Sequence, residues 1–465
     1  MPIAPRIRRL NSAEPNANAR YVLYWAQMNR RVEANAALEF AAALANEQKL
    51  PLLFYEGLTC SYPHANDRFH TFVLEGVPET ARRLKQRGIG YLFYLRQRRA
   101  DPNNAFYRLA EDAFAVVSDD YPAFITPSYN ASVAPKLPVP YYAVDSSCVV
   151  PMAHLEKQEY AAYTIRPKIH KVLAECLTPV ETVRLKHRFT GPLPCADLQT
   201  EVTEATIAAL VESCEIDHTV PPSTDIRGGR VEAEARLERF LENNLRRYAK
   251  YAGKPSARAT SELSSHLHFG QISSLEIALA VRAFADEHKL MAQEFLEQLI
   301  VRRELAFNFA RFAPVIDSLK ALPDWARATL AKHDRDKREI VYTPEQFERA
   351  STHDALWNAA QTELLTRGII HGYYRMYWGK KIIEWSRTHA EALRTMIDLH
   401  DRYALDGRDP NTYTNILWCF GLHDRPWMER PVFGMIRYMS HDGMRRKTDV
   451  DEYIEQVTSA QGSLL

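Results

Sequence analysis

The runs Tyr21-Val22-Leu23-Tyr24-Trp25, Pro51-Leu52-Leu53-Phe54-Tyr55 and Tyr91-Leu92-Phe93-Tyr94-Leu95 decide the fold of the first third of the chain. Each is short, apolar and rich in aromatics, as strands are, and residues 31–48 and 72–87 between them have the pattern of amphipathic helices. Ala115-Val116-Val117 and Tyr141-Tyr142-Ala143-Val144 read as two further strands. Strands alternating with helices predict a parallel sheet covered on both faces, a Rossmann-like α/β domain over residues 1–150. Its one Gly-x-Gly, Gly88-Ile89-Gly90, precedes a strand where a dinucleotide fingerprint would follow one, so no nicotinamide site is expected.

Beyond this block, residues 151–229 are largely polar and punctuated by Pro179, Pro192, Pro194, Pro221 and Pro222, the pattern of an interdomain linker laid over a surface. After Gly228-Gly229 the pattern turns helical and stays so, predicting an all-α domain over 230–465 that holds six of the seven tryptophans. The 465 residues carry 59 Lys+Arg against 58 Asp+Glu, which excludes a histone-like protein but allows a basic stripe on one face. No segment approaches the ~18 apolar residues of a membrane helix, and no apolar run follows the N-terminal arginines. A soluble, cytoplasmic protein is expected. The six cysteines lie far apart, with no C-x-x-C and no histidines at ligand spacing, so neither a disulfide scaffold nor a metal site is expected.

Five segments can carry chemistry. In the stretch from Gly372 to Trp385, Trp378 and Trp385 share a helix face, and Gly372, Met376, Gly379 and Ile383 form another. The two glycines either let helices pack closely or leave room for a flat ring system. Thr260-Ser261-Glu262-Leu263-Ser264-Ser265-His266 joins a hydroxyl-rich loop to a helix start, as a phosphate site or an ordinary helix cap would. Asp406-Gly407-Arg408-Asp409-Pro410-Asn411 is a turn whose carboxylates could bond ribose hydroxyls or a ring N–H. Gln298 and Arg302 sit at i, i+4, which a solvated helix face also explains. Arg425, Arg430, Arg437, Arg445, Arg446 and Lys447 interleave with Trp418 and Trp427, which suits a phosphate backbone with an extruded base or scattered surface charge.

Taken together, residues 6–455 resemble the class II branch of the photolyase and cryptochrome family. The matching runs include Thr164-Ile165-Arg166-Pro167-Lys168-Ile169, His268-Phe269-Gly270-Gln271-Ile272-Ser273, Val301-Arg302-Arg303-Glu304-Leu305-Ala306, Leu356-Trp357-Asn358-Ala359-Ala360-Gln361, Arg375-Met376-Tyr377-Trp378 and the Asp406 turn. The resemblance implies an α/β domain, a helical domain holding folded-over FAD, and blue-light-driven splitting of cyclobutane pyrimidine dimers in single- or double-stranded DNA by a monomer. It assigns Ser261, Leu263, Ser264 and neighbouring Tyr248 to the FAD phosphate loop, and Arg375, Asp406, Asp409 and Asn411 to the flavin and ribityl region. Trp378, Trp357 and Trp385 match an electron-relay chain, and Met376 and Trp418 the dimer pocket, with Arg302 on the same substrate side. A second antenna chromophore of deazaflavin type is left open.

Two positions depart from the class. Gln298 stands where the repair enzymes carry an acid, and the neighbouring Glu297, ~100° away on an α-helix, is expected to point elsewhere. His400 stands where they place an Asn facing flavin N5; an imidazole can be charged donor, neutral donor or acceptor. The class's DNA-intruding loop is replaced by Tyr251-Ala252-Gly253-Lys254. The expectation is therefore a photolyase with altered activity, the alternative a repair-deficient, cryptochrome-like flavoprotein.

Overall fold

The computed structural model describes residues 3–462. A six-stranded sheet forms the first domain, with strands β1 (Ile7–Arg9), β2 (Tyr21–Ala26), β3 (Leu52–Thr59), β4 (Gly90–Arg96), β5 (Ala113–Asp119) and β6 (Tyr141–Val144) in the order β1-β6-β5-β2-β3-β4. Strands β2 to β6 pair in parallel, in registers such as Tyr24 opposite Phe54 and Phe54 opposite Tyr91. The sheet is not wholly parallel: β1 joins its edge antiparallel to β6. Three half-exposed residues offer too little alternation for such a strand to announce itself.

Helices α1 (Ala36–Glu47), α2 (Asp67–Leu74) and α3 (Val77–Arg87) cover the sheet, and Asn35 and Asn66 cap the first two with side-chain oxygens. The helical stretch expected over 72–87 is thus two helices, broken at Gly76 with Pro78 in the first turn of α3. At the switch between β5 and β2, where open α/β sheets bind ligands, the Asp119 carboxylate itself accepts from the amides of Gln27, Met28 and Asn29 at 2.9, 2.7 and 3.0 Å. These three backbone donors are thus already taken by the protein itself.

Inside the polar stretch before Gly228, helix α4 (Ala162–Cys176) buries Ile165 and Ile169 in the same core cluster as Leu263, Leu299 and Val301. Farther along come α5 (Ser264–His268), a π-helical turn (Glu297–Arg302), α6 (Ala355–Arg367), α7 (Gly372–Trp385), α8 (His389–Tyr403) and α9 (Pro410–Cys419). Trp357, Trp378 and Trp385 lie in the largest helical core cluster, at 0, 1 and 4% exposure. Buried Arg68 on α2 ties the domains together by donating to the carbonyls of Pro221, Leu364, Leu365 and Tyr403. No described helix is long and apolar enough to cross a membrane.

Candidate functional site

The hydroxyl-rich loop and the start of α7 face each other across a cleft. Ser261, Leu263, Ser264, Arg375 and Asp406 line a cavity of about 240 Å³, and Tyr248, Gln298, Glu297 and Met376 line a neighbouring one of about 1240 Å³. The two share Thr260, His371 and Gly372 in their walls and so lie side by side, and the larger exceeds the ~300–1,000 Å³ common for ligand pockets.

Local structure explains the shape. Glu262 adopts a left-handed backbone (φ 52°) that a non-glycine residue holds only under external restraint, and its carboxylate is gripped by Arg236 at 3.2 Å and Arg367 at 2.9 Å. The turn sets Ser261 and Leu263 on the cavity wall. Helix α5 has no side-chain cap, so the bland reading of this loop as an ordinary cap does not hold. Across the cleft, Asp406 accepts from Arg375 at 3.0 Å. Burial would raise this carboxyl, but the adjacent guanidinium holds it below the usual carboxylate range, leaving a buried, fixed ion pair.

His400 on α8 is fully buried, and neither ring nitrogen has a hydrogen-bond partner. Burial, reinforced by Arg375, drives its pKa down to about 3. Of the protonation states open to an imidazole here, the neutral one alone is populated near neutral pH. The ring packs edge-on to Trp378 with centroids 6.4 Å apart. From Trp378 the aromatic contacts continue to Trp357, parallel at 6.4 Å, and from Trp357 to Trp385 at 6.3 Å. Trp357 is therefore the middle member. The indoles are locked: Trp357 donates to the Trp378 carbonyl at 3.0 Å, and Trp378 to the Gln361 side-chain oxygen at 2.8 Å.

Two expectations need correction, and one open alternative is decided. Glu297 does not turn away from Gln298; both line the large cavity. They sit in the π-helical turn, whose wider winding separates successive side chains by less than the ~100° of an α-helix. Glu297 is occupied, accepting from Arg166 at 2.7 and 3.1 Å with Arg302 at 3.6 Å, which leaves the exposed Gln298 amide free to donate. Gly379 serves helix packing, not a ring system: a Cβ there would come within 2.7 Å of Cys419 Sγ and 3.3 Å of Met396 Sδ, whereas one at Gly372 would meet nothing within 4 Å. Asp409 and Asn411 line neither cavity. Asp409 caps α9 through the Asn411 amide and accepts from Tyr121 at 2.5 Å. Despite its burial, His268 and Tyr121 hold it below its usual range, so it works as a joint between the domains.

Arg302 lies over the Trp418 ring at 5.5 Å; neither lines the cavity, although Cys419, next to Trp418, touches Met376 Sδ at 3.8 Å. His371 was not singled out by the sequence reading. It accepts from the Tyr373 amide as the cap of α7 and lines both cavities. A histidine just before the glycine that opens the helix was the available signal.

A FAD molecule fits the donor set of this cleft: an open cradle at Gly372, hydroxyls at Ser261 and Ser264, and the buried Arg375–Asp406 ion pair. The second chromophore finds less room. The cavity at the carboxyl ends of β2 and β3, lined by Gln27, Arg30, Tyr62, Phe124 and Arg408, measures about 110 Å³, below the ~300 Å³ at which ligand pockets begin. Among the described residues no cluster could hold a metal ion.

A sequence profile of the DNA photolyase family matches residues 22–185. The deoxyribodipyrimidine photo-lyase of Methanothermobacter thermautotrophicus is 39% identical over 455 residues, covering 98% of each chain. Among solved structures, a Synechocystis cryptochrome superposes with a TM-score of 0.71 at 14% identity, over 94% of this chain and 88% of that one. An archaeal photolyase from Sulfolobus tokodaii, solved with two FAD molecules, gives 0.65 at 16% identity, over 94% of this chain and 89% of that one.

Proposed function

The chain belongs to the DNA photolyase family, and on that premise we propose that it is a FAD-dependent, class II type lyase that uses blue light to split cyclobutane pyrimidine dimers in DNA. The observation that carries this reading is the cleft lined by Ser261, Ser264 and the Arg375–Asp406 pair, together with three contacting indoles of which Trp378 packs against the buried, neutral His400. Bound FAD, when reduced and excited, supplies the electron that opens the dimer. The protein's residues do the rest. Ser261 and Ser264 hold phosphate oxygens, Asp406 orients Arg375 toward the ring system, and neutral His400 offers one N–H without adding charge. Trp385, Trp357 and Trp378, in contact one after another, would carry an electron inward toward the bound group.

At the lesion, Met376 supplies polarizable contact to a flipped base pair, and Gln298 donates amide hydrogen bonds to its carbonyl oxygens as negative charge develops. An amide cannot transfer a proton there, and Glu297 is committed to Arg166. Repair is therefore slower than with a carboxylic acid at this position. The test is illumination of the reduced protein with dimer-containing single- and double-stranded DNA. The parent should remove dimers only in light, and Gln298→Glu should raise the rate about tenfold, the effect of ~1.4 kcal/mol at the transition state. A parent inactive on both substrates beside an active Gln298→Glu, His400→Asn double variant would overturn the lyase reading. It would establish the second one, a repair-deficient flavoprotein of cryptochrome type, which the same two positions favour.

A further inference from the structure

The outer end of the indole chain opens into a separate cleft. Trp385 forms part of its wall, and its volume is about 660 Å³. Five cationic side chains face it, Lys337, Arg338, Lys381, Arg430 and Arg445, against the carboxylates of Glu339, Asp354 and Glu384. Part of the charge is already matched: Arg445 pairs with Asp451 outside the cleft and Glu384 with Lys381 at 2.6 Å, while Asp354 accepts from the Tyr377 hydroxyl and keeps its charge. Lys337, Arg338 and Arg430 are not ion-paired with any carboxylate among the described residues. Arg430 lies over the Tyr438 ring at 4.5 Å, and Nε and Nη2 of Arg338 have no hydrogen-bond partner. With Asp451 counted, five cations stand against four carboxylates, so the cleft keeps a surplus of one positive charge beside an indole.

Lys381 adds a redox consequence. Its ammonium lies 5.4 Å over the Trp385 ring and, offset in part by Glu384, modestly destabilises a positive hole on that indole and makes it a stronger oxidant. A hole of this kind is filled by whatever donor is seated next to it, and surplus cations in a cleft concentrate anions. Planar guanidinium forks match a delocalised oxyanion flanked by hydroxyls.

We propose that this cleft docks a small anionic one-electron donor of the enediolate class, which refills Trp385 after it has passed an electron inward. In that step the enediolate monoanion gives one electron to the Trp385 radical cation and its remaining hydroxyl proton to water, leaving a neutral indole and a donor radical anion. The inference rests on the relay reading given above.

The experiment uses FAD-loaded protein and ascorbate, with dithiothreitol as a neutral donor. A laser flash should produce an indole radical in both the parent and a Lys337→Glu, Arg430→Glu double variant, whose two side chains are exposed. In the parent, radical decay should saturate with ascorbate and slow as salt is added. In the variant it should be about tenfold slower and linear in ascorbate, while decay with dithiothreitol is unchanged. Equilibrium dialysis in the dark should find one ascorbate bound per parent chain, lost in the variant. Equal decay and equal binding in parent and variant would overturn the inference alone. A flash that yields no indole radical would overturn the relay reading and the inference with it.

Discussion

At the scale of single residues, the ion pair between Arg375 and Asp406 bears most directly on the cleft. Both side chains are nearly buried, at 15 and 10% exposure. Asp406→Asn leaves a guanidinium in the interior without its counter-charge, a change that costs about 3–5 kcal/mol when a buried pair loses one partner. Urea unfolding should show a midpoint lowered accordingly with an unchanged slope, and FAD should be lost. An unaltered midpoint would mean that water, not Asp406, compensates Arg375. Most residues of the site were legible in the sequence because hydroxyls, carboxylates and indoles sit in long matching runs. Asp409 was assigned to the same region by proximity in sequence, yet one turn of chain carries it to Tyr121 and the domain boundary. The protonation state of His400 was not legible either, because burial and the neighbouring Arg375, not residue type, remove its proton.

At the scale of elements, α7 does two jobs with its two glycines. Gly379→Ala pushes a methyl group against Cys419 and should cost about 1–3 kcal/mol in thermal or urea unfolding, as overpacking does. Gly372→Ala meets open space, so stability should hold while flavin affinity falls, because the new methyl projects into the cleft. Were Gly372→Ala the destabilised variant, the division of labour along this helix would be the reverse of the one described. A 3.6-residue period in the sequence places both glycines on one face, but it cannot tell a face turned to α9 from one turned to a cavity. The π-helical turn at Glu297–Arg302 is likewise invisible to that period, and it alone sets Glu297 beside Gln298.

For the whole molecule, burial of ionisable groups predicts how stability depends on pH. Burial lowers His70, His371 and His423 to about 4, and His266 and His400 to about 3, so all five are neutral in the native state. Unfolding near pH 5 lets these five take up protons, while Glu304 and Asp401, raised by burial to about 8 and 6, give theirs up. Over these seven groups the uptake is about three protons, a contribution that lowers stability by roughly 4 kcal/mol per pH unit on acidification, and the lowered His64, His268 and His389 act in the same direction. Above the ordinary histidine value of ~6.5 that loss ends, and the need to ionise Glu304 makes stability decline gently toward pH 8. Denaturation midpoints from pH 4.5 to 8 should therefore peak near neutrality and drop steeply on the acid side. A flat acid limb would contradict the burial of these histidines. The succession of an α/β part and a helical part was readable from the change in hydrophobic period along the chain, whereas the short antiparallel edge and the histidine burial depend on contacts between segments far apart in sequence.

The central claim is that one flavin dinucleotide occupies the cleft between the Ser261 loop and α7. Its most direct measurement is the amount of FAD released by heat from purified, reconstituted protein, compared with a Gly372→Trp variant whose indole would fill the cradle. One FAD per chain in the parent and almost none in a folded variant is the expected result. Equal flavin in both, or none in the parent, would contradict it.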